Sequence, residues 1–209
     1  MSEQKPPETL KEKAKAALKK PAALGEDLDL STFLSEAESP FRDARGLPAK
    51  AREQMLGVGV ILDNMKQRSG TYIQANNTPV HSSATQEGIE VMAVSQALEK
   101  YDWLSDYFWK AVAVDQDKYT ATVELGQFDG YFFRALPGAK SEMPVQACLY
   151  LAKAKLAQKV HNIIIAEEGS ELHIITGCTT ALREEPGLHI GISEFFIKKP
   201  MVQFWFHFV

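Results

Sequence analysis

Cys178 is one of only two cysteines in a 209-residue chain, and it lies near the end of the stretch "AEEGSELHIITGCTT" that also holds Glu167, Glu168 and His173. A cysteine works chemically as its thiolate, so its neighbours decide what it can do. If "ELHIITGC" is a strand, alternation places Leu172, Ile174, Thr176 and Cys178 on one face and Glu171, His173, Ile175 and Gly177 on the other. Cys178 then points inward, away from His173. Burial disfavours the charged form, so the thiol is expected to titrate at or above roughly 8.5. Composition alone makes it a structural cysteine, since free cysteine is among the most buried residue types. A thiol enzyme would need a base within reach of Cys178.

Cys148 lies 30 positions earlier. Stacked strands stand about 4.8 Å apart, close enough for two thiols to share a metal ion or a sulfur atom. Two thiols without histidines at ligand spacing nevertheless fall short of a zinc or iron–sulfur signature. His81, His161, His173, His189 and His207 form no HxxxH or HxH pattern. Gly57, Gly59, Gly126 and Gly130 lack the spacing and the lysine of a phosphate-binding loop. Glu167 and Glu168 precede a turn glycine, where solvated charge is expected. No catalytic residue, resident metal site or intrinsic cofactor is read from these patterns.

The elements that must position Cys178 repeat. "YFFRALPGAKSEMPV", "NIIIAEEGSELHII" and "EFFIKKPMVQFWF" each join an apolar triplet to a second apolar stretch through a tight turn, at Gly138, Gly169 and Pro200, successive turns being 31 residues apart. Such units bury their apolar side only by stacking, which predicts a β-helix of parallel rungs. Beyond Tyr119 the expectation is short strands with no helix-length periodicity. The last rung, "MVQFWFHFV", would be bare, with Phe204, Trp205, Phe206, Phe208 and Val209 uncovered, so an incomplete or frame-shifted protein is expected.

Upstream, three regions are read: a helical and acidic extension with linker over 1–48, an α/β region over 49–118 and the start of the β-helix over 119–209. Lysine, glutamate and alanine over 8–20 predict a helix with a Leu10, Ala14, Ala17, Leu18 stripe, and its basic run is a solvated face. "LGVGVIL" reads as a strand. "SQALEKYDWLSDYFWK" reads as one helix over 95–110, capped by Ser95, with Trp103 and Trp109 as core aromatics.

A net charge of −4 and a pI near 5.8 give no reason to expect nucleic acid or an anionic membrane as partner. No run approaches the roughly 20 apolar residues of a membrane span. The charged, alanine-rich N-terminus is no secretory signal, so a cytoplasmic protein is expected.

"KVHNIIIAEEGSELHIITGCTT" followed by "GLHIGISEFFIKK" resembles the core of the SufB/SufD family, whose members serve the SUF machinery for iron–sulfur cluster assembly. The likeness runs back through "PVQACLYL" and the helix before it, covering roughly 58–199, and is closer to B-like and archaeal-type members. It implies a right-handed parallel β-helix. It also implies a non-enzymatic scaffold subunit associating with an ABC-type ATPase (SufC-like) and a second SufB/SufD-type subunit, a transient cluster being carried only in the full-length complex. The matching Gly177-Cys178-Thr179 implies that Cys178 is the sulfur-acceptor candidate, with Thr176 where many bacterial members have glutamate. Family members continue into further rungs and a helical segment that binds the ATPase, so the resemblance also implies truncation. The alternatives are a structural β-solenoid that serves as an interaction surface and an enzyme with Cys178 as nucleophile.

Overall fold

A computed structural model describes residues 9–126, 128–181 and 186–199 and the backbone of 203–208. Its described residues are mixed α/β, with two sheets and four α-helices. Strands β1 (Gly70–Ala75), β2 (Thr78–Ala84), β5 (Val145–Leu151), β7 (Glu171–Thr180) and β9 (Gln203–Phe208) form one sheet in the order β2-β1-β5-β7-β9. Strands β3 (Ile89–Ala93), β4 (Tyr131–Ala135), β6 (Ala157–Ala166) and β8 (Leu188–Ile197) form the other in sequence order. The antiparallel pairs β1–β2 and β3–β4 open the sheets. From β4 onward the chain alternates between them; β5 runs parallel to β1, and each strand from β6 on runs parallel to the one two before it in its own sheet.

The 31-residue repeat survives as register in one sheet: Phe132 faces Ile163, and Ala157 faces Leu188. In the other sheet Cys148 faces Gly177 and Glu171 faces Gln203, separations of 29 and 32. The turns themselves stack. Gly138 (φ 74°) and Gly169 (φ 71°) both occupy the left-handed region that glycine tolerates, and the Gly138 N–H donates to the Glu168 carbonyl at 2.9 Å. The third turn, at Pro200, and Val209 lie outside the described residues, as do the side chains of 203–208.

Residues of β5 and β6 are buried throughout because both faces are covered, the expected behaviour of parallel strands. Between the sheets lie Tyr72, Tyr131, Phe133, Val145, Ala147, Leu149, Val160, Ile164, Leu172 and Ile174. Outside the five-stranded sheet, Cys148 and Tyr150 pack with Ala51 and Met55 of helix α2 (Ala49–Gly57). Outside the other, Phe132, Ile163 and Ile165 pack with Val94 and Ala97 of helix α3 (Val94–Lys100).

Several helical expectations are corrected. "LGVGVIL" is no strand: Leu56 and Gly57 end α2, and Gly59 (φ 79°) turns the chain so that the Val60 N–H reaches the Met55 carbonyl. The span 95–110 is not one helix. It stops at Lys100, Tyr101 is extended, and a 3-10 turn over Asp102–Asp106 follows. Tertiary contacts override periodicity there, because the Tyr101 ring packs on Trp103 and Phe132 while its hydroxyl donates to Glu90. Ser95 is not the cap; Ala93 precedes the helix, and the Ser95 hydroxyl donates to Asp129 at 2.7 Å. A helix also lies past Tyr119: α4 (Lys118–Leu125), capped by Asp117 and Thr120 and buried through Ala121 and Val123. It packs on Ala14 and Ala17 of α1 (Leu10–Ala17), although Leu18, placed in that stripe, is 45% exposed. Trp109 is buried, and Trp103 packs at the edge of the α3 cluster, as core aromatics.

Glu167 is another correction, being 5% exposed rather than solvated. It closes a ladder of alternating charge across the strands. Arg134 contacts Glu90 at 3.4 Å and Glu167 at 2.7 Å, and Lys198 reaches Glu167 at 2.8 Å. The Arg134 guanidinium also lies 4.7 Å from the centre of the Trp103 ring. Burial pushes the Glu167 carboxyl up, but hydrogen bonds from Lys198 and Arg134 outweigh it and hold the group below its ordinary 4.5. Arg134→Met should therefore cost about 1–3 kcal/mol in urea unfolding at pH 7, because it strips a mostly buried carboxylate of its main partner. A depressed acid stabilises the fold above its unfolded pKa and loses that effect on acidification, so the gap between wild type and variant should shrink as pH falls below 4.5.

Candidate functional site

Alternation along β7 is as expected, with Leu172, Ile174 and Thr176 buried and Cys178 packed against the cluster between the sheets. Cys148 takes the opposite face. It pairs with Gly177 while Leu149 pairs with Cys178, so the one-residue offset sends the two thiols to different clusters. They form no pair, and burial drives the Cys148 thiol far above its ordinary value. His173 alternates to the face away from Cys178.

The sequence reading missed His189. Its Nε2 lies 3.7 Å from Cys178 Sγ, and its Nδ1 lies 3.0 Å from Gln158 Oε1. Three strands of both sheets converge here: β7 carries Cys178, and Gln158 of β6 is the direct register partner of His189 of β8. Gln158 is anchored in turn, its Nε2 donating to the Asn76 carbonyl at 2.6 Å and the Tyr150 carbonyl at 3.4 Å. A 31-residue offset between Gln158 and His189 was the available signal, since the repeat makes them neighbours.

A cavity of about 240 Å³ opens on the group, lined by Leu149, Leu151, Gln158, Cys178, Gly187 and His189. A second, of about 320 Å³, shares Leu149 and His189 and carries on between the sheets past Tyr131, Asn162, Thr176 and Ser193. His189 thus stands at the junction of two spaces, each mainly apolar with a few polar side chains in its wall. Burial pushes the Cys178 thiol up to about 11 and the His189 imidazole down to about 4. It also lifts the Tyr131 hydroxyl to about 12. At neutral pH the group is therefore an uncharged thiol facing an uncharged imidazole, suited to donating or accepting a proton without exposing charge to the core.

A second buried cluster lies outside the four-stranded sheet. His161 Nε2 donates to Glu194 at 2.7 Å, both side chains being fully buried, beneath the rings of Phe108 and Trp109. Glu194 also accepts the backbone N–H groups of Trp109, Ala111 and Val112. Among the described residues no group of three or more histidine, cysteine, aspartate and glutamate side chains is arranged to hold a metal ion. No helix among them is long and apolar enough to cross a membrane.

The fold and site define a class: a mixed α/β protein whose parallel strands alternate between two sheets and enclose a thiol–imidazole pair. No family model matches the chain. It is 46% identical over 199 residues to a protein of Methanothermobacter thermautotrophicus described as an iron–sulfur cluster assembly SufBD family protein, covering 92% of this chain and 48% of that one. A protein of Archaeoglobus fulgidus with the same description is 54% identical over 148 residues, 71% of this chain and 39% of its own length. One of Pyrococcus horikoshii is 26% identical over 156 residues. The chain belongs to the iron–sulfur cluster assembly SufBD family. It spans about half the length of the curated relatives it matches.

Proposed function

We propose that the protein acts in the cytoplasm in iron–sulfur cluster assembly, as a non-enzymatic scaffold subunit whose Cys178 accepts sulfur. On this reading the strands from β4 onward are the first coils of a right-handed parallel β-helix. The subunit works with an ABC-type ATPase and a second SufB/SufD-type subunit, the cluster being cargo of the assembled complex. One observation carries the reading: the cysteine that packs into the cleft between the sheets lies on a cavity that adjoins a second one running on between the sheets, so that sulfur arriving at Cys178 has room to move inward. Relatives bearing the assembly description support it.

The test is sulfur loading of the purified full chain by a persulfide donor, with and without the ATPase and second subunit. Sulfane sulfur should appear on the Cys178 peptide, and Cys178→Ser should remove it and stop cluster formation in the complex. Equal labelling of the variant, or labelling confined to Cys148, would refute the assignment. The imidazole beside Cys178 favours one rival, a thiol acyl-transfer enzyme. That rival requires a burst of product from an activated ester at Cys178; the scaffold reading expects none.

A further inference from the structure

We infer that His189 is the base that takes the Cys178 thiol proton as sulfur arrives, and that Gln158 is the positioning residue that fixes the imidazole for this task; the inference rests on the sulfur-acceptor reading. The hydrogen-bond inventory assigns the tautomer. Gln158 uses its Nε2 donors on the Asn76 and Tyr150 carbonyls, which turns Oε1 toward His189. That oxygen can only accept, so His189 Nδ1 carries the hydrogen and Nε2 presents a lone pair to Cys178 Sγ. Gly191 keeps this nitrogen accessible: a β-carbon there would lie 2.8 Å from His189 Nε2.

The step balances without an oxidant. A persulfide donor R–S–SH brings its outer sulfur to Cys178. The Cys178 S–H bond breaks, its proton passes to His189 Nε2, and the sulfur's electron pair forms the new S–S bond. The donor's own S–S bond breaks, its electron pair leaving on R–S⁻, and that departing thiolate recovers the proton from the imidazolium. The products are Cys178–S–SH and R–SH, with His189 returned to its starting form.

This role has a signature that packing alone would not give. With the thiol titrating near 11 and the imidazole near 4, the reactive pair holds the same single proton across the neutral range. Among the described titratable groups nearby, Tyr131 of β4 lines the adjoining cavity, whereas Cys148 and Tyr150 of β5 pack on the outer face of the sheet; burial raises all three, so they stay protonated through that window.

Iodoacetamide alkylation of the full chain, read by mass spectrometry on the separate Cys178 and Cys148 peptides from pH 6 to pH 9, tests it. The wild-type Cys178 rate should vary by no more than about twofold, as expected when thiol and base react as one unit. His189→Gln should leave a lone thiol whose rate climbs about tenfold per pH unit with its thiolate fraction. Gln158→Met should react several-fold more slowly than wild type, on a flat profile. A wild-type rate that itself climbs tenfold per unit overturns the inference, and that measurement needs no variant to fold. So does a His189→Gln profile superimposed on wild type. Loading with cysteine persulfide separates the two readings: sulfane sulfur on Cys178 with identical profiles removes the base, whereas distinct profiles with no sulfur retained remove the acceptor.

Discussion

Glu194→Leu should destabilise the protein by about 3–5 kcal/mol at pH 7, because several buried donors lose their acceptor at about 1–3 kcal/mol each, part of it recovered by rearrangement. Glu194 is fully buried and serves as a hub. It accepts from His161 Nε2 at 2.7 Å and from the Trp109, Ala111 and Val112 N–H groups at 2.8, 2.6 and 3.1 Å. Those three amides belong to the turn that follows the 3-10 segment, where Trp109 adopts φ 57°, a left-handed conformation uncommon for a bulky residue. A leucine fills the space and leaves four donors without an acceptor. Glu194→Gln keeps one acceptor oxygen and should cost about half as much. Urea unfolding followed by tryptophan fluorescence measures both, and a loss under 1 kcal/mol in the leucine variant would show that water or a shifted turn replaces the carboxylate.

The pH dependence has a definite sign. Burial pushes the Glu194 carboxyl up, but hydrogen bonds from His161, Val112 and Ala111 outweigh it and hold the group below 4.5. Its contribution is complete above the unfolded pKa and is lost as pH falls through the lower folded value. Wild type should therefore shed stability below pH 4.5 through this group, and the leucine variant should lack that component.

Repetition makes much of this architecture legible in the sequence. Gly138 and Gly169 announce stacked turns because only a left-handed residue closes so tight a connection, and the Leu172–Ile174–Thr176–Cys178 alternation fixes which face is inward. The helices were harder. In the span 95–110 the periodic apolar residues are real, but Tyr101 is drawn into an aromatic cluster with Trp103 and Phe132, and that tertiary contact ends the helix. Helix α4 has only eight residues, fewer than periodicity can reveal, although Asp117 and Thr120 form a cap that is visible in retrospect. The site was half legible. Cys178 stands out by rarity, whereas His189 is unremarkable until the repeat is used to ask which residues lie one rung away. Glu167 misled for the opposite reason: a glycine turn suggested solvent, while Arg134 and Lys198, 33 and 31 positions distant, hold it in the fold.

Gly130→Ala should cost about 3 kcal/mol, the upper part of the range for overpacking, because what it meets is backbone. Gly130 lies just before β4, where the chain runs close alongside its parallel neighbour β6. A β-carbon would lie 2.7 Å from the His161 carbonyl carbon, 2.7 Å from Asn162 Oδ1, and closer still to the His161 carbonyl oxygen. Neither strand can yield cheaply. Asn162 Oδ1 accepts the Tyr131 N–H at 3.1 Å, the Gly130 carbonyl accepts the Val94 N–H at 2.9 Å, and Asp129 ties the same corner to Ser95. Moving the strand therefore breaks several hydrogen bonds at once and displaces Tyr131, which lines the cavity beside His189. The variant should consequently unfold at lower urea and also alkylate Cys178 faster under native conditions. Gly46→Ala is the control: nothing lies within 4 Å of its added β-carbon, so its stability should change by less than about 0.5 kcal/mol. If the two variants proved equally stable, the close approach of Gly130 to β6 would not be what seats Tyr131 beside the thiol site.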